Sequence, residues 1–586
     1  MTLPSSSLES NSNLQKELLK FCRHMAGSYK ISAICQSDNY TIEAPSSKST
    51  IEVLLIIRDF PSRLMTFVRA IEGRNVVIFA VDQWIFERDV DRGFLGEALA
   101  SMLIFPYTPL VNIEYLHRQE IEIKKRLVLE LLENIVLSYP ELSYSIRIKP
   151  EYFMYEIMMN RVRVFPPLAY GTSHLLSGKS TQKISRVLQG YLQAIEILDT
   201  YDVLHYSNGY VTLSKTFIEK SKNPATKFTN AIKNAPRALF SSFFGVFPQL
   251  LNFLSQNSEA FLQFQTPPWK KDFFLSKSFL DPQKFIYIPT ARGLVSLADK
   301  SDIRAFAGSI LKERDTRKIK VEEFGGVLND VYLLKIGDNP NQNKILVKRF
   351  KDLSSFKWFP LSIWSIGVTT FALLGKSRLE RECAINELLA EEGFNVPKIL
   401  HVSTNERLVF MEFLEGENLS YAIKRIASAE NLTKVETELV DIEKLGQTYA
   451  RVHFVGVVLG DTKPENTMIG PQGKLYLLDF EQASRKGDKS WDVACFLYYS
   501  GHYLPQNGEK KAEAIAQAFI KGYLTGGGKI ETVRCAGIAK YTRVFSVFTL
   551  PGILRTMASI CKTTSQKMYP RLVENQILKK CPNETV

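Results

Sequence analysis

The sequence predicts a multidomain α+β protein, and three observations carry that prediction. The chain has 586 residues, more than one hydrophobic core usually serves, so three or four domains are expected. Its first third alternates apolar, strand-like runs with amphipathic helical stretches, and a second strand-rich stretch begins near residue 320. After Asp492 the pattern is helical almost to the end. Hydrophobic residues make up 45% and charged residues 23%, the balance of a soluble globular protein.

Taken in order, MTLPSSSLESNSN is polar and is expected to be a frayed tail, not a signal peptide. A helix is expected from Leu14 to His24. IEVLLII, from Ile51, and VVIFAVD, from Val76, read as buried strands. IEIKKRLVLELLENIVL has leucines and charges at helical spacing. These elements form an α/β domain over residues 1–170. A further helix, SRVLQGYLQAIEILDTY, leads to two alternating segments joined by Asn208-Gly209, a strong hairpin signal. Helix plus two-stranded wing resembles a winged-helix module, placed with its linker at 178–300.

The net charge of +13 favours acidic partners: nucleotide phosphates, nucleic acid or an anionic membrane surface. Lys220, Lys222, Lys227, Lys233 and Arg237 make a basic run, a candidate nucleic-acid contact; a solvated helix face explains it as well. The seven cysteines are scattered without a C-x-x-C pair, which argues against a disulfide framework or zinc site and fits a reducing cytoplasm. An apolar run from Trp358 to Gly375 would rise only about 27 Å as a helix, marginal for a bilayer. A crossing there would also separate Lys348 from Glu382, so no transmembrane segment is expected.

The chemistry concentrates between Leu445 and Ala494. GDTKPEN (Gly460 to Asn466) sets a carboxylate, Asp461, in a tight loop, followed by Lys463 and the amide of Asn466. A second carboxylate, Asp479, ends the strand-forming run from Lys474. Phosphoryl transfer needs these parts: a carboxylate for the attacking hydroxyl, a cation at the moving phosphoryl, and oxygen ligands for magnesium.

D-x-K-P-x-N followed by a strand ending in D-F resembles the catalytic and metal-binding loops of the protein kinase superfamily. Leu459-Gly460-Asp461 replaces H-R-D, and Glu481 replaces the glycine of D-F-G. The G-D form, without A-P-E after it, resembles RIO kinases, the KEOPS-complex kinase, lipopolysaccharide kinases and aminoglycoside phosphotransferases. Their loop usually reads H-G-D, so Leu459 puts loop support, more than chemistry, in question. Only residues 480–491 separate Asp479 from Asp492, too few for a long phosphorylated activation segment. Asp492 matches the aspartate that braces the catalytic loop in these families.

The resemblance implies a two-lobed kinase-like fold, with the small lobe at 315–415 and the large lobe at 416–575. It further implies ATP and Mg2+ as cofactors. Asp461 would take the hydroxyl proton, Lys463 would neutralise the phosphoryl, and Asn466 with Asp479 would hold magnesium. Lys348, on KILVKRF, would meet the α/β-phosphates, paired with Glu382; Glu387 is the other candidate. Gly325 and Gly326 would lie in the phosphate-covering loop, and backbone groups near Glu412 and Phe413 would meet adenine. The expected activity is that of an atypical serine/threonine protein kinase of archaeal style, cytoplasmic, with a protein substrate. A small-molecule or sugar kinase, and an ATP-switched regulator that binds RNA, DNA or a partner protein, stay open.

At the N-terminus, Gly27-Ser28 followed by S-T-I-E-V resembles the nucleotidyltransferase fold, with Thr50 and Glu52 where the paired metal carboxylates stand. One carboxylate cannot hold two metals, so this domain is expected to be inactive. Glu52, Asp82 and Glu87 are its residues of interest.

Overall fold

The computed structural model describes residues 5–38, 51–71, 74–164, 175–176, 181–222, 279–311, 319–325, 329–336, 344–351, 372, 374–546 and 549–565. The chain forms two compact units, Met1–Tyr287 and Ile288–Val586, so the expected 178–300 segment straddles their division.

The first unit opens with α1 (Ser5–Ala26), whose Leu14, Leu18, Cys22 and Ala26 recur every fourth residue and bury one face against a sheet. The sheet order is β3 (Leu64–Ile71), β4 (Arg74–Asp82), β2 (Ile51–Ile57), β1 (Ile31–Ser37), β5 (Tyr107–Val111). All seven residues of β2 are buried, Glu52 among them, as a strand flanked on both edges demands. Strand β2 runs parallel to β4 and antiparallel to β1. Asp82 ends β4 and caps α2 (Gln83–Arg92), accepting the Trp84 N–H at 3.1 Å and the Phe60 N–H at 2.8 Å.

This register separates the residues that suggested a nucleotidyltransferase. Ile31 opposes Ile57, so Gly27-Ser28, which precede β1, fall at the carboxyl end of β2. Glu52 lies at its other end, and Thr50 is outside the described residues. Asp82 pairs with Ile57, five positions along the ladder from Glu52, or about 16 Å at strand rise. Glu87 accepts hydrogen bonds from Gln83 and Tyr115. The three carboxylates do not converge.

Glu52 has a different consequence. Burial pushes its carboxyl up to about 7, well above the ordinary value near 4.5. The native state therefore keeps a proton that the unfolded chain releases above about pH 4.5. The associated stability is complete below that pH and is lost as pH rises through 7, by roughly 3 kcal/mol. Glu52→Gln should leave melting unchanged near pH 4.5 and raise it at pH 8. Calorimetry at the two pH values checks this; a parental fall in the variant would assign the pH dependence to another group.

Helix α3 (Ile113–Ser138) buries a lysine. Lys124 pairs with Glu120 at 2.5 Å, donates to the Val187 carbonyl at 2.9 Å and lies 4.7 Å from the Tyr191 ring centroid. Those last partners sit on the helix Thr181–Thr200, which the lysine thus fastens to α3. Strand β6 (Arg147–Ile148) precedes α4 (Pro150–Val164). The expected hairpin is present: β7 (Leu204–Ser207) and β8 (Tyr210–Leu213), joined by Asn208 and Gly209 at φ 52° and 77°. Strand β8 adds to β6 through Val211 and Ile148, and β6 pairs with Tyr287 and Ile286 of β9 (Ile286–Thr290). In the basic run, Lys222 binds Glu141 at 3.4 Å; Lys227, Lys233 and Arg237 lie outside the described residues.

The second unit begins with β10 (Gly293–Ser296) and the helix Ile303–Leu311. An antiparallel sheet follows in the order β11 (Ile319–Gly325), β12 (Asn329–Ile336), β13 (Lys344–Phe350), β15 (Leu408–Glu412), β14 (Ile399–Ser403). Its inner face packs Leu334, Ile345, Val347 and Phe410 on Phe306. The helix Gly375–Glu391 stands beside it. In the remaining described residues the regular structure is helical except for the small sheet β16 (Glu417–Asn418), β17 (Thr467–Ile469) and β18 (Leu475–Leu477).

Two helices, Glu436–Phe454 and Glu509–Thr525, cross at glycines. A Cβ on Gly446 would strike the Phe519 carbonyl, and one on Gly522 the Glu443 carbonyl. Only glycine permits so close an approach of two backbones. The crossing is walled by Tyr449, Phe496, Phe519 and Tyr523. Of the apolar run Trp358–Gly375, only Ala372, Leu374 and Gly375 are described. Ala372 is bound through both backbone groups to the Gln482 amide. Among the described residues no helix is long and apolar enough to cross a membrane.

Candidate active site

The loop that carries Asp461 starts where the helix Glu436–Phe454 stops. Gly456, at φ 83°, turns the chain out of the helix. Val458 and Ser484 then exchange backbone hydrogen bonds of 2.9 and 2.8 Å, joining this loop to the one after Asp479. Gly460 is required by that closeness. Its φ is 78°, and a Cβ there would collide with the Gln482 carbonyl.

Asp492, fully buried in the first turn of the helix Lys489–His502, holds the loop from below. Its carboxylate accepts the Leu459 N–H at 2.6 Å and the Gly460 N–H at 2.8 Å. Thr462 Oγ1 donates to the Asp492 carbonyl at 2.7 Å, and Trp491 Nε1 to the Gly460 carbonyl at 2.6 Å. The histidine missing at position 459 has a spatial substitute. His453, on the helix before the loop, meets Asp492 Oδ2 through Nε2 at 3.0 Å and Tyr523 through Nδ1 at 2.7 Å. Leu459 itself is buried in the main hydrophobic core of the second unit. Packing and hydrogen bonding are thus divided between two residues. Sequence reasoning missed His453; its signal was a histidine on the buried side of a helix, six positions before Leu459.

Above this base, Asp461 and Lys463 face one another at 2.8 Å and are both partly exposed. Burial works against the Lys463 charge, but Asp461 and Asp479 outweigh it and hold the ammonium above its usual range. Asn466 donates from Nδ2 to the Asp461 carbonyl at 2.8 Å, which fixes its amide beside the Asp461 loop.

Asp479 follows β18 with φ 64°, a left-handed conformation unusual for a residue with a side chain. Lys348, from β13, reaches Asp479 Oδ1 at 3.3 Å and Glu382 Oε1 at 3.2 Å. Of the two glutamates weighed for this pairing, Glu382 makes it. Its second oxygen accepts the Phe480 N–H at 2.7 Å. Burial opposes the Lys348 charge, but Asp479 and Glu382 keep it raised; burial likewise opposes ionisation of Asp479, and Lys348 with Lys463 keeps that carboxylate below its usual range.

Asp461, Lys463, Asn466, Asp479, Lys348 and Glu382 are thereby linked in one constellation. Three other expected site residues lie at or just after the ends of β11 and β15. Gly325 ends β11 opposite Val331, and Gly326 is outside the described residues. The Glu412 N–H donates to the Lys398 carbonyl at 3.0 Å and its carboxylate accepts the Lys398 N–H at 2.9 Å. Lys344 Nζ lies 5.4 Å from the Phe413 ring centroid. Sequence reading also noted Glu481 only as a departure, whereas the structure gives it partners in two other elements.

Residues 372–493 match the RIO domain family. Over 107 residues the chain is 36% identical to the KEOPS complex subunit Bud32 of Pyrococcus abyssi, a match that covers 18% of this chain and 45% of the relative. The chain thus spans less than half the length of that curated relative. Both likenesses fall within the second unit and are to atypical protein-kinase-like domains.

Proposed function

We propose that the second unit transfers the γ-phosphoryl group of ATP to a serine or threonine hydroxyl of a protein. The observation that carries this reading is the joining of Lys348, Glu382 and Asp479 on one side with Asp461, Lys463 and Asn466 on the other. Lys348 is held by Glu382 as an oriented cation for nucleotide phosphates. Asp461 is placed to orient the acceptor hydroxyl and take its proton, while the Lys463 ammonium faces the charge that moves between acceptor and donor. The phosphorus–oxygen bond to the acceptor forms as the bond to ADP breaks.

Asp479 and Asn466 fit magnesium in donor chemistry, since both offer hard oxygens. No group of three or more His, Cys, Asp or Glu side chains able to hold a metal occurs among the described residues. The ion would therefore draw its remaining ligands from water and phosphate, as magnesium commonly does. Bound there, it would neutralise phosphate charge.

Lys463 within D-x-K-P-x-N supports a protein acceptor over a small molecule. The likeness to a KEOPS complex subunit supports a second reading, an ATP-driven regulator within an assembly. Incubation with γ-labelled ATP, alone and with cell lysate, separates these readings. Labelled protein supports the first, labelled small molecule overturns its acceptor, and free phosphate alone supports the second.

Asp461→Asn should lower kcat by roughly 10²- to 10⁴-fold, the range for losing a general base. Nucleotide affinity should stay within about threefold, because Asp461 acts on the acceptor. An equal loss of ATP binding, measured by titration calorimetry, would move Asp461 to the nucleotide side of the site.

A further inference from the structure

We propose that Arg378 and Glu481 are positioning residues that clamp the helix Gly375–Glu391 to the metal-binding loop, keeping Lys348, Glu382 and Asp479 assembled before nucleotide arrives. The proposal rests on the phosphotransferase reading and adds to it a means of holding the site together. Glu481 occupies the third position of D-F-E, where a glycine would leave the loop free to change its backbone angles. Here the side chain is anchored instead. Arg378 donates from one terminal nitrogen to both Glu481 oxygens, at 2.7 and 2.8 Å, and both side chains are almost wholly buried.

The placement of this pair matters more than its energy. Arg378 lies one helical turn before Glu382, so both project from the same face. Glu382 binds the Phe480 N–H, and Arg378 binds the side chain of the very next residue. Two attachments one turn apart fix the rotation of a helix as well as its distance; a single attachment leaves rotation free.

Two further bonds spread the clamp. Asn329, the first residue of β12, donates to Glu481 at 2.6 Å, and Arg378 donates to the Lys351 carbonyl at 3.0 Å. The metal loop, the helix that supplies Glu382, the start of β12 and the residue after β13 thus meet at one ion pair. A buried ion pair contributes little net stability relative to apolar residues of similar volume. Geometry is what this pair supplies.

The test uses the full chain with Arg378→Met and Glu481→Gln combined, which removes both charges but keeps volume, and Asn329→Ala separately. Melting of the double variant should stay within a few degrees of the parent. In the nucleotide-free chain, backbone amides of 375–391 and 479–481 should exchange at least tenfold faster, while those of 436–454 keep their rate. Affinity for a fluorescent ATP analogue in EDTA should fall about tenfold, and KM for ATP should rise more than kcat falls. Asn329→Ala should give the same changes at two- to fivefold, and decides the matter should the double variant not fold. Parental exchange and affinity in either folded variant would overturn the clamp. Exchange is read without turnover, so it stands even for a chain that transfers no phosphate; absent transfer with faster exchange would sink the kinase reading alone.

Discussion

Asp479→Ala should abolish metal-dependent phosphoryl transfer, with a loss of roughly 10³-fold or more, equivalent to about 4 kcal/mol of transition-state stabilisation. Lys348 would keep Glu382 as a partner, so the fold around it should survive the change. The backbone at 479 needs a control, because alanine tolerates φ 64° poorly. Asparagine tolerates it better and keeps the side-chain shape. Asp479→Asn should therefore match alanine in lost activity while melting like the parent. Transfer of labelled phosphate over a magnesium titration measures both; parental turnover in the asparagine variant would remove the phosphotransferase assignment.

The second large effect belongs to Asp492, which should govern stability as much as rate. Asp492→Ala would leave the Leu459 and Gly460 N–H groups buried without an acceptor and take a partner from His453. Orphaning buried donors costs about 1–3 kcal/mol each, so a loss of roughly 4 kcal/mol is expected. For a unit of this size the melting temperature should drop by about 10 °C. Transfer should fail in parallel, since Asp461 sits one residue beyond the released loop. A variant that melts like the parent yet transfers no phosphate would show that Asp492 acts in chemistry, not in support.

The parts of the site that were legible in the sequence are those whose chemistry demands a residue type at a fixed spacing. Asp461, Lys463 and Asn466 share one short loop, and Asp479 ends a strand. Lys348 and Glu382 could be named because KILVKRF and RECAINELLAEEGFNVP resemble family runs, whereas their contact is made only by the fold. Residues that act through folding were hidden. Glu481 looked like a lost glycine, because its partner Arg378 lies 103 positions away and only tertiary packing joins them. His453 was passed over since a helix buries many side chains and periodicity does not single out a hydrogen-bonding one.

In the first unit, buried strands were readable as apolar runs, but strand direction was not. The G-S pair and Glu52 seemed adjacent along the chain, and antiparallel pairing sends them to opposite ends of β2. Turn chemistry fared better at Asn208-Gly209, where positive φ at both positions is written in the residue types themselves.

The glycine crossing of the helices Glu436–Phe454 and Glu509–Thr525 limits how these two helices of the second unit can move. Interlocked side chains let neighbouring helices slide by switching rotamers, but Gly446 and Gly522 leave none between the two backbones. Each helix sits in a notch of the other, and sliding by even one residue would drive a side chain into a carbonyl. The loop bearing Asp461 is mounted at the end of one of these helices. Its reference frame is therefore a bolted joint, and thermal motion that reaches the Asp461 carboxylate arises chiefly in the loop itself.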